Sequence, residues 1–273
     1  MNTYGIEGHE PSILPSGKKF KLVWADEFDG TELDRTKWDY RLSMMQKMHP
    51  AWSDKGVRLD GEGNCVFTVI EDENGNPVSS QLQTGYNFMD QPLEKTAFYN
   101  DHLQWTVGKL REDKFTKKYG YFECRCRLQS KDGWWSAFWI QSPIIGASLD
   151  PEKTGIEIDI MECFKPGTIA GHNAFWGGYG LDRQYKRVGG KDVSREAWHT
   201  FGLLWDESGY TFYVDGEEDG RITEPVSKTP QFILISTEVQ GYRREDHTPT
   251  KEARAAVGDT FLVDYVRVFD IIE

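Results

Sequence analysis

The chain is short of cysteine, of positive charge and of long apolar runs. It has four cysteines in 273 residues, Cys65, Cys124, Cys126 and Cys163, and no C-x-x-C pair. Cys124 and Cys126 are two apart on one face of a strand, which suits neither a mutual disulfide nor a zinc knuckle. All four read as small buried hydrophobes, with a disulfide involving Cys65 or Cys163 left open. Lys and Arg number 32 against 44 Asp and Glu, a net charge of −12, so nucleic acid and anionic membrane surfaces are poor partners. The same balance weighs mildly against a heavily sulfated polymer, although clustered arginines can override a global charge. No apolar run approaches the ~20 residues of a transmembrane span, so membrane insertion is not expected. The first residues, Met-Asn-Thr-Tyr-Gly-Ile-Glu, show no charged start followed by an apolar core, so no signal peptide is visible. No 3.6-residue apolar stripe persists beyond two turns; the best helical candidate is the short segment 250–257.

What remains is a pattern of many short strands. Apolar and β-branched runs recur every 8–20 residues, separated by Gly, Asn and Asp turns, with Asn74-Gly75 and Asp215-Gly216 as hairpin signals. They place strands at 20–28, 57–59, 65–71, 79–84, 93–99, 103–107, 119–128, 135–141, 172–176, 199–205, 210–214, 232–238 and 260–269. Such spacing predicts an all-β sandwich. Residues 1–19, polar with Pro11, Pro15 and Gly17, read as an extended arm, and residues 20–273 as a single domain, since no linker or repeat divides them. Asp34 could cap one helical turn to Trp38, and residues 41–56 read as a loop, with Trp52 as an option for a ligand-facing ring. Aromatics make up 14% of the chain, including ten Trp; core packing accounts for most, and the rest could serve as flat platforms.

The densest chemistry lies in residues 155–164. Glu157 and Asp159 alternate with Ile156, Ile158 and Ile160, as in a strand with one wet face. Glu162 is five positions after Glu157, and in a regular strand it would point into the core, where an unpaired carboxylate is expensive. One extra residue, a β-bulge around Ile160–Met161, returns Glu162 to the acidic face. Glu157 and Glu162 then lie about four steps, roughly 13 Å, apart along the strand. Side chains leaning together bring their carboxyl groups to about 5–6 Å, close to the spacing of retaining glycosidases. Asp159 sits between them, where a third carboxylate can share a proton and raise a neighbour's pKa. Acids on a solvated sheet face are the plainer alternative.

This segment resembles the E-x-D-x-x-E signature of glycoside hydrolase family 16, the clan of laminarinases, agarases, porphyranases and κ-carrageenases. Residues 22–29 with 33–38 look like the family's opening, 119–127 like its YGxFExRxK-type strand, and 133–139 like its GxWPAxW segment. Residues 198–205 and 264–269 complete a set that runs in the expected order. Ser136 departs from the pattern where the common laminarinase form has Pro. The resemblance implies a concanavalin-like β-jelly roll of two curved antiparallel sheets with a concave substrate cleft. It implies a retaining endo-type hydrolase of a β-linked polysaccharide, a β-1,3-glucan or a red-algal-type galactan, acting by double displacement. In that scheme Glu157 is the nucleophile, Glu162 the acid/base and Asp159 their assistant. No cofactor is required. A structural calcium on the convex face is an option, with Asp264 as its contributor. A monomer is expected, in an extracellular or periplasmic setting.

Substrate-binding candidates follow. Trp135 and Trp139 share parity, and one or both should face the cleft; Trp134 is a third candidate, although its opposite parity favours the other layer. His172 opens the next strand and either contacts substrate or is a satisfied structural histidine, as His199 is expected to be. Trp176 and Tyr179 could flank the cleft. Residues 182–187 and 242–244, holding Arg183 and Arg243, are basic islands that could read a sulfate or carboxylate. Glu238 has no account at this level. Two competing readings use the same residues or fold: a non-catalytic carbohydrate-binding jelly roll, and a transglycosylase in which a sugar replaces water. Three intact carboxylates favour catalysis over mere binding.

Overall fold

The computed structural model describes residues 2–90, 111–169 and 171–272; the strands expected at 93–99 and 103–107 lie outside them. Two antiparallel sheets form a sandwich. One has seven strands in the order Gln184–Val188, His172–Trp176, Glu157–Cys163, Trp134–Gln141, Phe232–Val239, Gln81–Gln83 and Asp39–Tyr40. In the other, Glu217–Ile222, Gly209–Val214, His199–Asp206, Gly120–Arg127, Thr260–Ile272, Cys65–Thr68 and Val57–Leu59 lie side by side, and Lys19–Asp26 also pairs with Thr260–Ile272. Among the described residues the two α-helices, Pro151–Thr154 and Lys251–Ala255, are short, and Thr250 caps the second by accepting from Ala253 N. Among the described residues no helix is long and apolar enough to cross a membrane.

Alternation along the strands builds the core. Phe138, Ile140, Ile158 and Ile160 of the seven-stranded sheet join Phe122, Cys124, Phe201, Leu203 and Val263 of the other in one buried cluster. All four cysteines are buried and free. A disulfide at Cys65 or Cys163 is thus ruled out, because both thiols are spent as small apolar fillers.

The first residues lie over the outer face of the eight-stranded sheet. Asn2–Tyr4 pairs with Ser12–Leu14, and Tyr4, Leu14 and Phe20 pack with Tyr121 and Phe269. Beneath them Glu123 is fully buried and accepts from Tyr265 Oη (2.6 Å), Ile13 N (3.1 Å) and Tyr121 Oη (3.2 Å). Strands not anticipated include the edge strand Gln184–Val188, whose residues are mostly exposed and so show no alternation. The loop expected at 41–56 carries a small hairpin, Ser43–Met44 with Lys47–Met48.

Gly155 delivers the acidic strand to its place. It has φ of +82°, and a Cβ there would lie 2.2 Å from the Ser142 Cβ. Only glycine turns this corner at that closeness.

Candidate active site

The acidic strand Glu157–Cys163 is bulged. Against its neighbour, Glu162 pairs with Ala137 and Met161 with Phe138, but Asp159 pairs with Trp139, leaving Ile160 as the extra residue. The register shift puts Glu162 on the outer face with Asp159 and Glu157, while Ile160 and Met161 are both buried. The next strand holds the bulge. His172, fully buried, directs Nδ1 to the Ile160 carbonyl at 2.6 Å, and its Nε2 lies 3.1 Å from Asp219 Oδ2. A carbonyl only accepts, so Nδ1 carries a proton. The ring stacks on Phe212 at 4.5 Å, and burial pulls its pKa down. His172 as a substrate contact is therefore corrected: it sits behind the strand, not in the groove.

The three carboxylates have different surroundings. Glu157 Oε2 accepts from Gln141 Nε2 at 2.8 Å and from the Tyr179 hydroxyl. Burial raises its pKa, opposed by these donors and by the charges of Arg41 and Arg243. Glu162 Oε2 accepts from Asn173 Nδ2 at 2.7 Å. Burial and then the Glu157 charge push Glu162 up to about 7, against its bonds to Asp159 and Asn173. Asp159 is buried between them, and burial followed by the charges of Glu162 and Glu157 raises it well above the carboxylate range. At neutral pH the cluster therefore keeps a proton on the Asp159–Glu162 side, while Glu157 has the donors that favour ionisation.

Around them lies a groove of about 460 Å³. Trp139 lines it and donates from Nε1 to Ser236 Oγ at 2.8 Å. Trp135 lines it too, half-exposed, with its ring 5.5 Å from Phe164 and the Arg243 guanidinium 5.4 Å above it. Arg243 is held by both oxygens of the buried Glu238 at 2.7 and 2.8 Å. That pairing is the physical account of Glu238. Arg183 reaches the same groove. Trp134 does not: it is fully buried and donates from Nε1 to Asp259 at 3.0 Å, so its candidacy fails on the parity that already separated it from Trp135. Trp176 is corrected likewise. Its neighbour Phe175, paired with Glu157, faces outward, and Trp176 packs on the core instead. Trp52 is buried 4.1 Å from the His49 ring and 4.9 Å beneath Arg41, outside the groove lining.

Sequence reasoning missed Arg41 and Asp90. Arg41 is buried over Trp139 at 5.3 Å and bonded to Asp90 at 2.6 and 2.9 Å and to Gln81 at 3.1 Å. These residues lie far apart in the chain and belong to no local pattern, so only the fold brings them together. Gln141 and Asn173 had a usable signal, since each shares the outward parity of its strand.

Asp264, the candidate calcium contributor, is engaged by an arginine. Its Oδ2 is 2.5 Å from Arg125 Nη1, so a cation at this carboxylate would meet a guanidinium already in place. Among the described residues no group of three or more His, Cys, Asp or Glu side chains could hold a metal.

Residues 47–253 match the family model described as "Glycosyl hydrolases family 16". The chain is 26% identical over 279 residues to "Glucan endo-1,3-beta-glucosidase A1" of Niallia circulans, covering 93% of this chain and 38% of that protein. It is 29% identical over 163 residues to "Beta-porphyranase D" of Zobellia galactanivorans, covering 56% of this chain and 32% of that protein. It thus spans well under half the length of either relative. The laminarinase of Rhodothermus marinus superposes with a TM-score of 0.67 at 23% identity, covering 94% of this chain and all of that one, which establishes the jelly-roll fold. With a family model matched over most of its length and a bulged carboxylate strand in the groove, the chain belongs to glycoside hydrolase family 16.

Proposed function

We propose that the protein is a retaining, endo-acting glycoside hydrolase whose substrate is a β-linked glucan or galactan. Glu157 attacks the anomeric carbon, displacing the leaving oxygen to give a glycosyl-enzyme ester, while Glu162 delivers its proton to that oxygen. Glu162, now ionised, takes a proton from water, which attacks the same carbon and releases Glu157. Asp159 shares its proton with Glu162 and limits the charge the cluster must carry. Gln141 and Tyr179 hold Glu157 in position, and Trp135 and Trp139 are the ring platforms beside the scissile bond.

One observation carries this reading: the bulge at Ile160 gathers three carboxylates on one strand face, with Gln141 and Tyr179 donating to Glu157 while burial and the Glu157 charge raise the Glu162 pKa to about 7. A sugar-binding protein has no use for that arrangement, since each buried carboxylate costs stability. The test is a product screen over laminarin, mixed-linkage glucan, agarose and porphyran, with Glu157→Gln run beside the wild type. Oligosaccharides from one polymer, absent with the variant, support the proposal. Equal binding by both proteins with no product from any polymer would replace it with a binding role.

A further inference from the structure

The two arginines on the groove floor are already neutralised: Arg41 by Asp90 and Arg243 by Glu238. The edge strand beyond the acidic strand is different. Across the sheet, Glu157 pairs with Phe175 and Phe175 with Tyr185, while Asp159 pairs with Asn173 and Asn173 with Arg187. Residues that face each other across a sheet share its face. Phe175, Tyr185 and Arg187 therefore stand on the same side as the carboxylates, Tyr185 two strand spacings, roughly 10 Å, from the row of Glu157.

Their arrangement is that of a platform with cations at its ends. The Phe175 and Tyr185 rings stack at 6.0 Å and 29°, and Tyr185 is 63% exposed. The Arg183 guanidinium lies 5.6 Å over Phe175 and also lines the groove. Arg187 crosses Gly171, where a Cβ would come within 2.5 Å of its Nε. Lysines of the same segment find carboxylates, Lys186 with Glu224 at 3.8 Å and Lys191 with Glu217 at 3.0 Å. Neither Arg183 nor Arg187 has a carboxylate partner among the described residues. In a chain of net charge −12, two guanidinia without a carboxylate partner among the described residues, beside the half-buried Phe175 and the exposed Tyr185, are a local reversal of sign.

We propose that this edge strand is a subsite for a sugar bearing an anionic substituent, a sulfate ester or a carboxylate, one or more units from the scissile bond. The inference rests on the hydrolase reading for its place along the polymer. Tyr185 and Phe175 take the ring face, and Arg183 at one end or Arg187 at the other takes the anion by charge-assisted hydrogen bonds, for which the planar guanidinium is suited. The floor beneath the scissile bond, with its arginines paired, then handles a neutral ring, and the charge is read at a distance.

The experiment is affinity electrophoresis of the wild type, Arg183→Ala/Arg187→Ala and Lys186→Ala/Lys191→Ala in gels containing laminarin, laminarin sulfate, C6-oxidised laminarin, agarose or porphyran. The sulfated and C6-oxidised forms separate the two sources of charge. The proposal expects at least one anionic polymer to bind about tenfold more tightly than its neutral counterpart. That margin should vanish in the double arginine variant, shrink in 0.5 M salt, and survive in the double lysine variant. Equal binding of anionic and neutral counterparts, no binding of either anionic form, or a margin that persists without the arginines would overturn it. Product analysis separates the two readings. A margin that holds while no polymer is cut keeps the subsite and discards the hydrolase. Cleavage of neutral polymers only, with KM unchanged in the arginine variant, does the reverse.

Discussion

Glu162 answers two opposed demands. In the proposed mechanism it is the proton donor and must stay protonated near neutrality, which burial together with the Glu157 charge favours by raising its pKa from 4.5 to about 7. Since the protonated form is the active one, kcat/KM should fall as pH rises through about 7, while the acid limb follows ionisation of Glu157, itself raised above its ordinary value. The same shift sets a stability dependence. A folded pKa above the unfolded one contributes stability below about 4.5 that is lost as pH rises through about 7. Glu162→Gln should therefore melt higher than the wild type at pH 8, by on the order of a few degrees, given about 2–4 °C per kcal/mol at this size. Near pH 4 the two should melt together, and scanning calorimetry at both pH values decides it. Activity of the variant should drop about 10²–10⁴-fold. At this scale parity was a good guide: it separated Trp135 and Trp139 from Trp134. It said nothing of His172, whose burial depends on Phe212 and Asp219 from the other sheet.

The bulged strand is an element that the sequence alone makes legible, because the cost of burying Glu162 admits few repairs. Its support was not legible. The carbonyl of the extra residue Ile160 has no ladder partner to rely on, and His172 supplies one from 12 residues away. His172→Ala should leave that carbonyl unsatisfied, costing about 1–3 kcal/mol, and let the carboxylates drift. A misplacement of about 1 Å can cost roughly 10²-fold in rate, so kcat should fall far more than KM changes. Initial rates over a range of substrate concentration, with a denaturant melt beside them, measure both. An unchanged kcat would show that the bulge keeps its shape without the histidine. The edge strand Gln184–Val188 escaped notice for the opposite reason. With four of its five residues exposed, it has no apolar alternation to read.

At the scale of the molecule, each sheet's outer face has its own task. The seven-stranded sheet presents the groove, and the eight-stranded one is covered by the N-terminal hairpin. That hairpin serves the buried charges beneath it: Ile13 N bonds Glu123, and Ser12 Oγ and the Glu10 carbonyl accept from Arg267. Removing residues 2–16 should expose the face and strip those partners, lowering stability by on the order of 3 kcal/mol. With the groove on the opposite sheet, kcat and KM should hold at temperatures where the shortened protein is folded. Chemical melts and kinetics at 15 °C measure this; a loss of activity in the folded protein would mean the two faces are coupled. The sandwich class was readable from strand spacing, whereas the pairing of Asn2–Tyr4 with Ser12–Leu14 was not. Nor were the pairings across the groove, such as Arg41 with Asp90, since long-range partners leave no local trace.

The central claim is that Glu157 forms a covalent intermediate, and the anomer first released reports on it. Proton NMR of the earliest products from whichever β-linked polymer is cleaved should show the β-anomer first, with the α-anomer growing in only at the rate of mutarotation. An α-anomer at the outset would mean that water attacks directly from the opposite face, and the roles assigned to Glu157 and Glu162 would have to be abandoned.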